Sequence, residues 1–154
     1  MKLKLCIIAL FCTMTFNSFA YNQWFNEENS GKPMVISEQG NFLLQIAYAI
    51  NQYENIYIYP LYNDETCKNK NYQPRQARSA YFNGVLVQLW DACNGDAHYY
   101  YPATMQGTNY IFNQFFKKNI IHIKQGNYKE NISAQGFTRT ITIFRKMNNL
   151  TGGL

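Results

Sequence analysis

The chain has 154 residues, 47% of them hydrophobic and only 15% charged, with a formal net charge of +5. That is the length of one ordinary domain, able to bury a core without metal or a dense set of disulfides. No segment approaches the roughly 20 apolar residues of a permanent membrane anchor. The basic residues, densest at Lys117-Lys118 and Arg145-Lys146 with looser pairs at Lys68/Lys70 and Arg75/Arg78, fall short of the stripe that nucleic-acid phosphates demand.

Lys2 and Lys4, an apolar run from Leu5 to Phe11 and a closing Ser18-Phe19-Ala20 follow the charge, core and small-x-small order of a secretory signal. Residues 1–20 are therefore expected to be a cleavable signal peptide, and residues 21–154 a single small globular domain, periplasmic or secreted. No stable membrane insertion is expected after processing. Bulky Phe11 before Cys12 argues against lipid attachment there. Cleavage would remove Lys2 and Lys4, lowering the net charge from +5 by two, and would remove Cys6 and Cys12. Cys67 and Cys93 then have only each other as intramolecular partner, and an oxidising compartment predicts a disulfide between them.

In chain order, residues 21–36 read as an arm docked through Trp24 and Phe25. Phe42, Ile46 and Ile50 stand four apart and predict a helix, with Ser37 or Asn41 as N-cap. The same segment also fits a strand with Phe42, Leu44, Ile46, Tyr48 and Ile50 on one face. Ile56-Tyr57-Ile58-Tyr59-Pro60 alternates as a strand does. Residues 63–76 turn polar around Cys67 and predict a tethered loop. Residues 80–93 are strand-like, with Asn83-Gly84 as a turn or bulge; Asn94-Gly95 then predicts a hairpin pairing the 85–90 run with residues 98–102.

Ile111/Phe115 and Phe112/Phe116 are spaced for an amphipathic helix, strand alternation fits residues 110–116 as well, and Lys117-Lys118-Asn119 ends the run as a helix C-terminus or as a hairpin turn. Residues 120–124 predict a strand and Gly126-Asn127 a turn. Thr138, Thr140 and Thr142 alternating with Ile141 and Ile143 predict a terminal strand over 137–145, and residues 151–154 a loose tail. The sum is an α+β fold, predominantly antiparallel β-sheet with one or two short helices and one disulfide.

Chemistry is sparse. The two histidines, His98 after the Asn94-Gly95 turn and His122 in an isoleucine run, would suit metal-independent ribonuclease chemistry if they met, but any two histidines would qualify. A surface His98 and a strand His122 held by a backbone partner are expected instead. Asp91, Asp96 and His98 lack a recognised metal spacing, the carboxylates offer no particular glycosidase pair, and no serine sits in a Gly-x-Ser-x-Gly setting. No catalytic residue, metal ligand or cofactor is assigned.

The largest departure from average is thirteen tyrosines. Tyrosine buries a large ring at low entropic cost while keeping a hydroxyl, so clusters suit protein partners and sugar faces alike. Tyr57, Tyr59 and Tyr62, and Trp90 with Tyr99, Tyr100 and Tyr101, are the candidate binding residues, although alternate members of each run can also pack inward. The expected function is that of an exported, non-enzymatic binding protein engaging another protein, for example as an inhibitor- or immunity-type neutraliser of an envelope-acting enzyme. A carbohydrate-binding or adhesion module is the second reading, and a small secreted hydrolase or nuclease using His98 and His122 the third.

Overall fold

The computed structural model describes residues 22–151. The expected signal segment, residues 1–20, lies outside the described residues, as do positions 152–154 of the expected tail. In chain order the elements are β1 (Phe25–Asn26), β2 (Pro33–Ile36), β3 (Phe42–Tyr48), β4 (Glu54–Pro60), a single 3-10 turn (Thr66–Lys68), β5 (Arg75–Gln76), β6 (Ala80–Phe82), β7 (Val85–Val87), β8 (Leu89–Asn94), β9 (Ala97–Pro102), α1 (Met105–Lys117), β10 (Ile120–Gln125), β11 (Tyr128–Ser133) and α2 (Phe137–Thr151). The strands form a seven-stranded sheet ordered β1-β2-β3-β4-β9-β8-β5 and a four-stranded sheet ordered β11-β10-β6-β7. The pairings are antiparallel, and the fold is α+β with the Cys67–Cys93 disulfide formed.

Three local expectations are corrected. Residues 42–48 are a strand and not a helix: β3 pairs with β4 from Phe42↔Pro60 to Tyr48↔Glu54. Leu44 and Ile46 are fully buried, whereas Ile50, the third member of the supposed helical stripe, is fully exposed beyond the strand. Four-residue spacing falls on one face of a strand as well as of a helix, so long-range pairing decided the outcome.

Residues 137–145 are helix and not strand. Phe137, Thr140, Ile141 and Phe144 are the buried positions, spaced three and four apart, and this stripe outweighs the strand preference of the threonines. Thr151 accordingly belongs to α2.

The apolar run 85–90 is divided between the sheets. The Asn83-Gly84 turn, with φ of 47° and 85°, has the two left-handed residues of a type I′ hairpin and folds Val85–Val87 back onto β6. Leu89–Asn94 then joins the larger sheet, pairing with β9 across Asn94-Gly95 from Leu89↔Pro102 to Asn94↔Ala97.

Of the helix and strand readings that fit residues 110–116, the helix is the one that forms. Thr104 caps it by accepting from the Gly107 N–H at 3.1 Å, and Ile111, Phe112 and Phe115 are buried on one face. The core joins this face to Val35, Leu44, Ile46, Ile56 and Ile58 of the larger sheet, to Phe82, Ile121 and Ile132 of the smaller, and to the α2 stripe. Of the aromatic pair expected to dock the arm, Trp24 is buried, 4% exposed, and Phe25 is exposed, so the arm docks through Trp24 alone of the two.

Candidate functional site

The long loop after β4 is pinned to β8 and β9 by one covalent bond and a buried polar network. Cys67 in the 3-10 turn bonds Cys93 on β8, with Cα atoms 5.6 Å apart. Beside it, His98 is buried against Tyr100, ring centroids 4.7 Å apart. Its Nδ1 lies 2.5 Å from Asp64 Oδ2, and its Nε2 faces Asp91 Oδ2 at 3.6 Å. Arg75 approaches the other Asp91 oxygen at 3.5 Å and lies over the Tyr72 ring, 5.0 Å from its centroid. The expected surface placement of His98 is thus corrected: its strand position, directly opposite Cys93, turns it under the tethered loop.

With both ring nitrogens facing carboxylates, this geometry orders the loop over β8 and β9. Asp96 stays exposed in the turn, and among the described residues no group of three His, Cys, Asp or Glu could hold a metal ion.

Burial pushes the Asp64 carboxyl up, but hydrogen bonds from the Thr66 hydroxyl and N–H, together with His98, more than offset it and leave Asp64 below its ordinary value. A depressed folded pKa contributes stability above the unfolded value of about 3.9 and loses it as pH falls through the folded one. Glu27 acts in the same direction: Ser30 and Asn29 hold its carboxyl at about 2. The melting temperature should therefore fall with acidification below about pH 4. In Asp64→Asn the fall should be shallower, with the Glu27 part remaining; an identical slope from pH 5 to 2 in both proteins would rule the assignment out.

The candidate tyrosines do not form one site. Ile58 pairs with Tyr100, which places those residues on the inner face of the larger sheet. By alternation Tyr57, Tyr59, Tyr99 and Tyr101 lie on the outer face. Trp90 pairs with Tyr101 and joins them. The rings touch: Tyr57–Tyr99 at 5.6 Å, Tyr59–Tyr99 at 5.7 Å and Tyr99–Tyr101 at 5.9 Å. Burial followed by neighbouring phenols raises the Tyr57, Tyr59 and Tyr101 hydroxyls above their ordinary value, so they remain neutral donors.

Register extends this face through β3 and β2, where Gln45 pairs with Tyr57 and Met34, and Leu43 with Tyr59 and Ile36. At the other side Gln76 pairs with Trp90. None of these outward residues is charged, and none belongs to the core cluster. Met34 and Ile36 went unpredicted because residues 21–36 read as an arm, and Leu43 because the helical reading of 42–50 concealed its alternation.

Tyr100 and Tyr62 instead line a separate cleft of about 360 Å³ between the sheets, with Phe42, Phe82, Leu89 and Tyr128. Burial and the neighbouring Tyr62, Asp64 and Asp91 push Tyr100 up to about 12.

His122 is exposed on β10 in the smaller sheet, its Nδ1 2.8 Å from Asn131 Oδ1. It shares no ring contact, hydrogen bond or cavity with His98 among the described residues. Comparison with protein-family models, with curated proteins and with solved structures returns no match.

Proposed function

We infer that this chain is an exported, non-enzymatic binding protein that engages another protein, in the manner of an inhibitor or immunity factor, through the outer face of its larger sheet. The observation that carries this reading is the contiguous uncharged row of Tyr57, Tyr59, Tyr99, Tyr101 and Trp90 outside the core. Interface centres are enriched in tyrosine and tryptophan and depleted in lysine and carboxylates, and the rings arrive largely immobilised by one another, which lowers the entropic cost of association. Export is supported by the order of charge, apolar run and small residues at the N-terminus and by the disulfide, which suits an oxidising compartment. No helix among the described residues is long and apolar enough to cross a membrane.

A protein fits better than a sugar because the rings are inclined, Tyr57 to Tyr99 by 72° and Tyr59 to Tyr99 by 43°, and do not make a coplanar platform for a pyranose. The test is capture from native envelope extract by the tagged mature chain, by Tyr99→Ala/Tyr101→Ala and by Tyr62→Ser. A stoichiometric protein should be retained by the first and third and lost from the double variant by more than about 30-fold, the effect of a single interface hot spot. The double variant should keep its far-UV spectrum. Equal retention by all three, or retention of a polysaccharide in place of a protein, would contradict the reading.

A further inference from the structure

The outer face of the smaller sheet carries a charge arrangement that folding alone does not explain. Lys124 and Lys129 are direct cross-strand partners, and His122 pairs with Asn131 one step along the same face. On its other side Lys124 pairs with Tyr81. Like charges directly opposite on antiparallel strands are destabilising. Neither lysine forms an ion pair among the described residues. Arg78, likewise without an ion pair there, sets its guanidinium against the hairpin tip, where a Cβ on Gly126 would come within 3.3 Å of it. Three cations thus surround one turn.

Lys124 and Lys129 border a basin of about 540 Å³ whose lining also includes Tyr81, His122, Glu130 and Asn131, a volume in the range of small-molecule sites. Its histidine is fixed in orientation. Asn131 Nδ2 donates to Glu38 Oε2 at 3.0 Å, which turns its Oδ1 toward His122 Nδ1 at 2.8 Å. Asn83 holds the His122 backbone from both sides, accepting its N–H at 2.8 Å and donating to its carbonyl at 2.8 Å. The carboxylates at the basin are hydrogen-bonded to neutral neighbours. Glu38 accepts from Asn131, and buried Glu130 accepts from the Gln39 N–H, Asn41 and Tyr128.

We propose that this basin binds a small soluble oxyanion, a phosphate or sulfate ester, between Lys124 and Lys129, with His122 and Tyr81 as its walls. Lysine serves as a point-charge phosphate binder, and a dianion between the two ammonium groups turns their repulsion into binding. The basin's concavity and size favour one small molecule over a flat anionic membrane.

Inorganic pyrophosphate is the probe, titrated at constant ionic strength and followed by melting temperature and by the His122 and Tyr81 ring signals in NMR. The wild-type chain should show a saturable rise in melting temperature that equal ionic strength of chloride does not produce. In Lys124→Gln and in Lys129→Gln the affinity should drop by about tenfold or more. Without pyrophosphate both variants should melt no lower than wild type, because the repulsion is gone. Tyr99→Ala/Tyr101→Ala should respond as wild type does, which separates this site from the protein-binding face. A response matched by chloride, or one surviving in both lysine variants, would overturn the proposal. So would lysine-dependent sedimentation with phosphatidylglycerol vesicles in the absence of any pyrophosphate response.

Discussion

Phe137→Ala should destabilise the protein by about 4 kcal/mol, the upper part of the range for truncating a fully buried phenylalanine. Phe137 is 0% exposed and touches four aromatic rings, those of Trp24, Phe112, Phe115 and Phe116, at centroid distances of 5.0, 5.9, 5.0 and 4.9 Å. It joins the N-terminal arm to both helices. The pocket cannot collapse readily, because Trp24 is fixed independently. Its indole N–H donates to the Ser133 carbonyl at 2.9 Å, its backbone N–H donates to the Gln135 carbonyl at 2.9 Å, and Gly136 packs so closely that a Cβ there would lie 2.9 Å from the Trp24 carbonyl oxygen.

Urea unfolding supplies the measurement. The midpoint should fall with little change in slope, and amide protection should fall first in the arm, residues 24–36. A loss below about 1 kcal/mol, the level of a surface substitution, would show that Phe137 is not the hub described. Phe137→Leu, which leaves a smaller cavity, should cost less than the alanine variant.

Breaking the Cys67–Cys93 bond should cost about 3.5 kcal/mol through the chain entropy it removes from the unfolded state. At the entropy of unfolding typical of this size, that corresponds to a melting-temperature loss of roughly 10–15 °C in Cys67→Ser/Cys93→Ser. The bond spans 26 positions that include β5, β6, β7 and part of β8, so releasing it also loosens the loop that buries His98 between Asp64 and Asp91. Calorimetry on the variant and on the reduced wild-type chain should give the same loss. The oxidised chain should keep its mass on alkylation without reductant. A loss of less than about 3 °C, under the scale of 1 kcal/mol, or labelling of both thiols in the native chain, would refute this account.

How far the sequence could be read depended on whether local pattern and tertiary pairing agreed. At α1 the apolar spacing fitted a helix and a strand alike, and the helix formed, capped by Thr104 with Ile111, Phe112 and Phe115 buried on one face. At Asn83-Gly84 and Asn94-Gly95 the turn chemistry marked both reversals, but the first turned the chain into a different sheet from the second. At residues 42–48 two periodicities fitted the same apolar residues, and the β4 partner chose between them. At 137–144 β-branched residues suggested a strand while the three-and-four spacing of buried positions produced a helix.

The tyrosine runs show the same limit at the level of the candidate site. Composition alone pointed to them, yet strand alternation sends Tyr57, Tyr59, Tyr99 and Tyr101 to one surface and Tyr100 to the inner face. The Asp64–His98–Asp91 network was not legible, because its members come from a loop and two strands and meet only once the loop is folded over them.

The sequence by itself determined the α+β class, the turns at Asn83-Gly84 and Asn94-Gly95 and, once a secretory signal is assumed, the pairing of Cys67 with Cys93, because these follow from local geometry or from elimination between two residues. Only the tertiary structure decided which strands share a sheet, which tyrosines share a face and that Lys124 stands opposite Lys129. Those properties belong to register between distant segments, and register is set by the burial of both faces together and by no one segment's pattern.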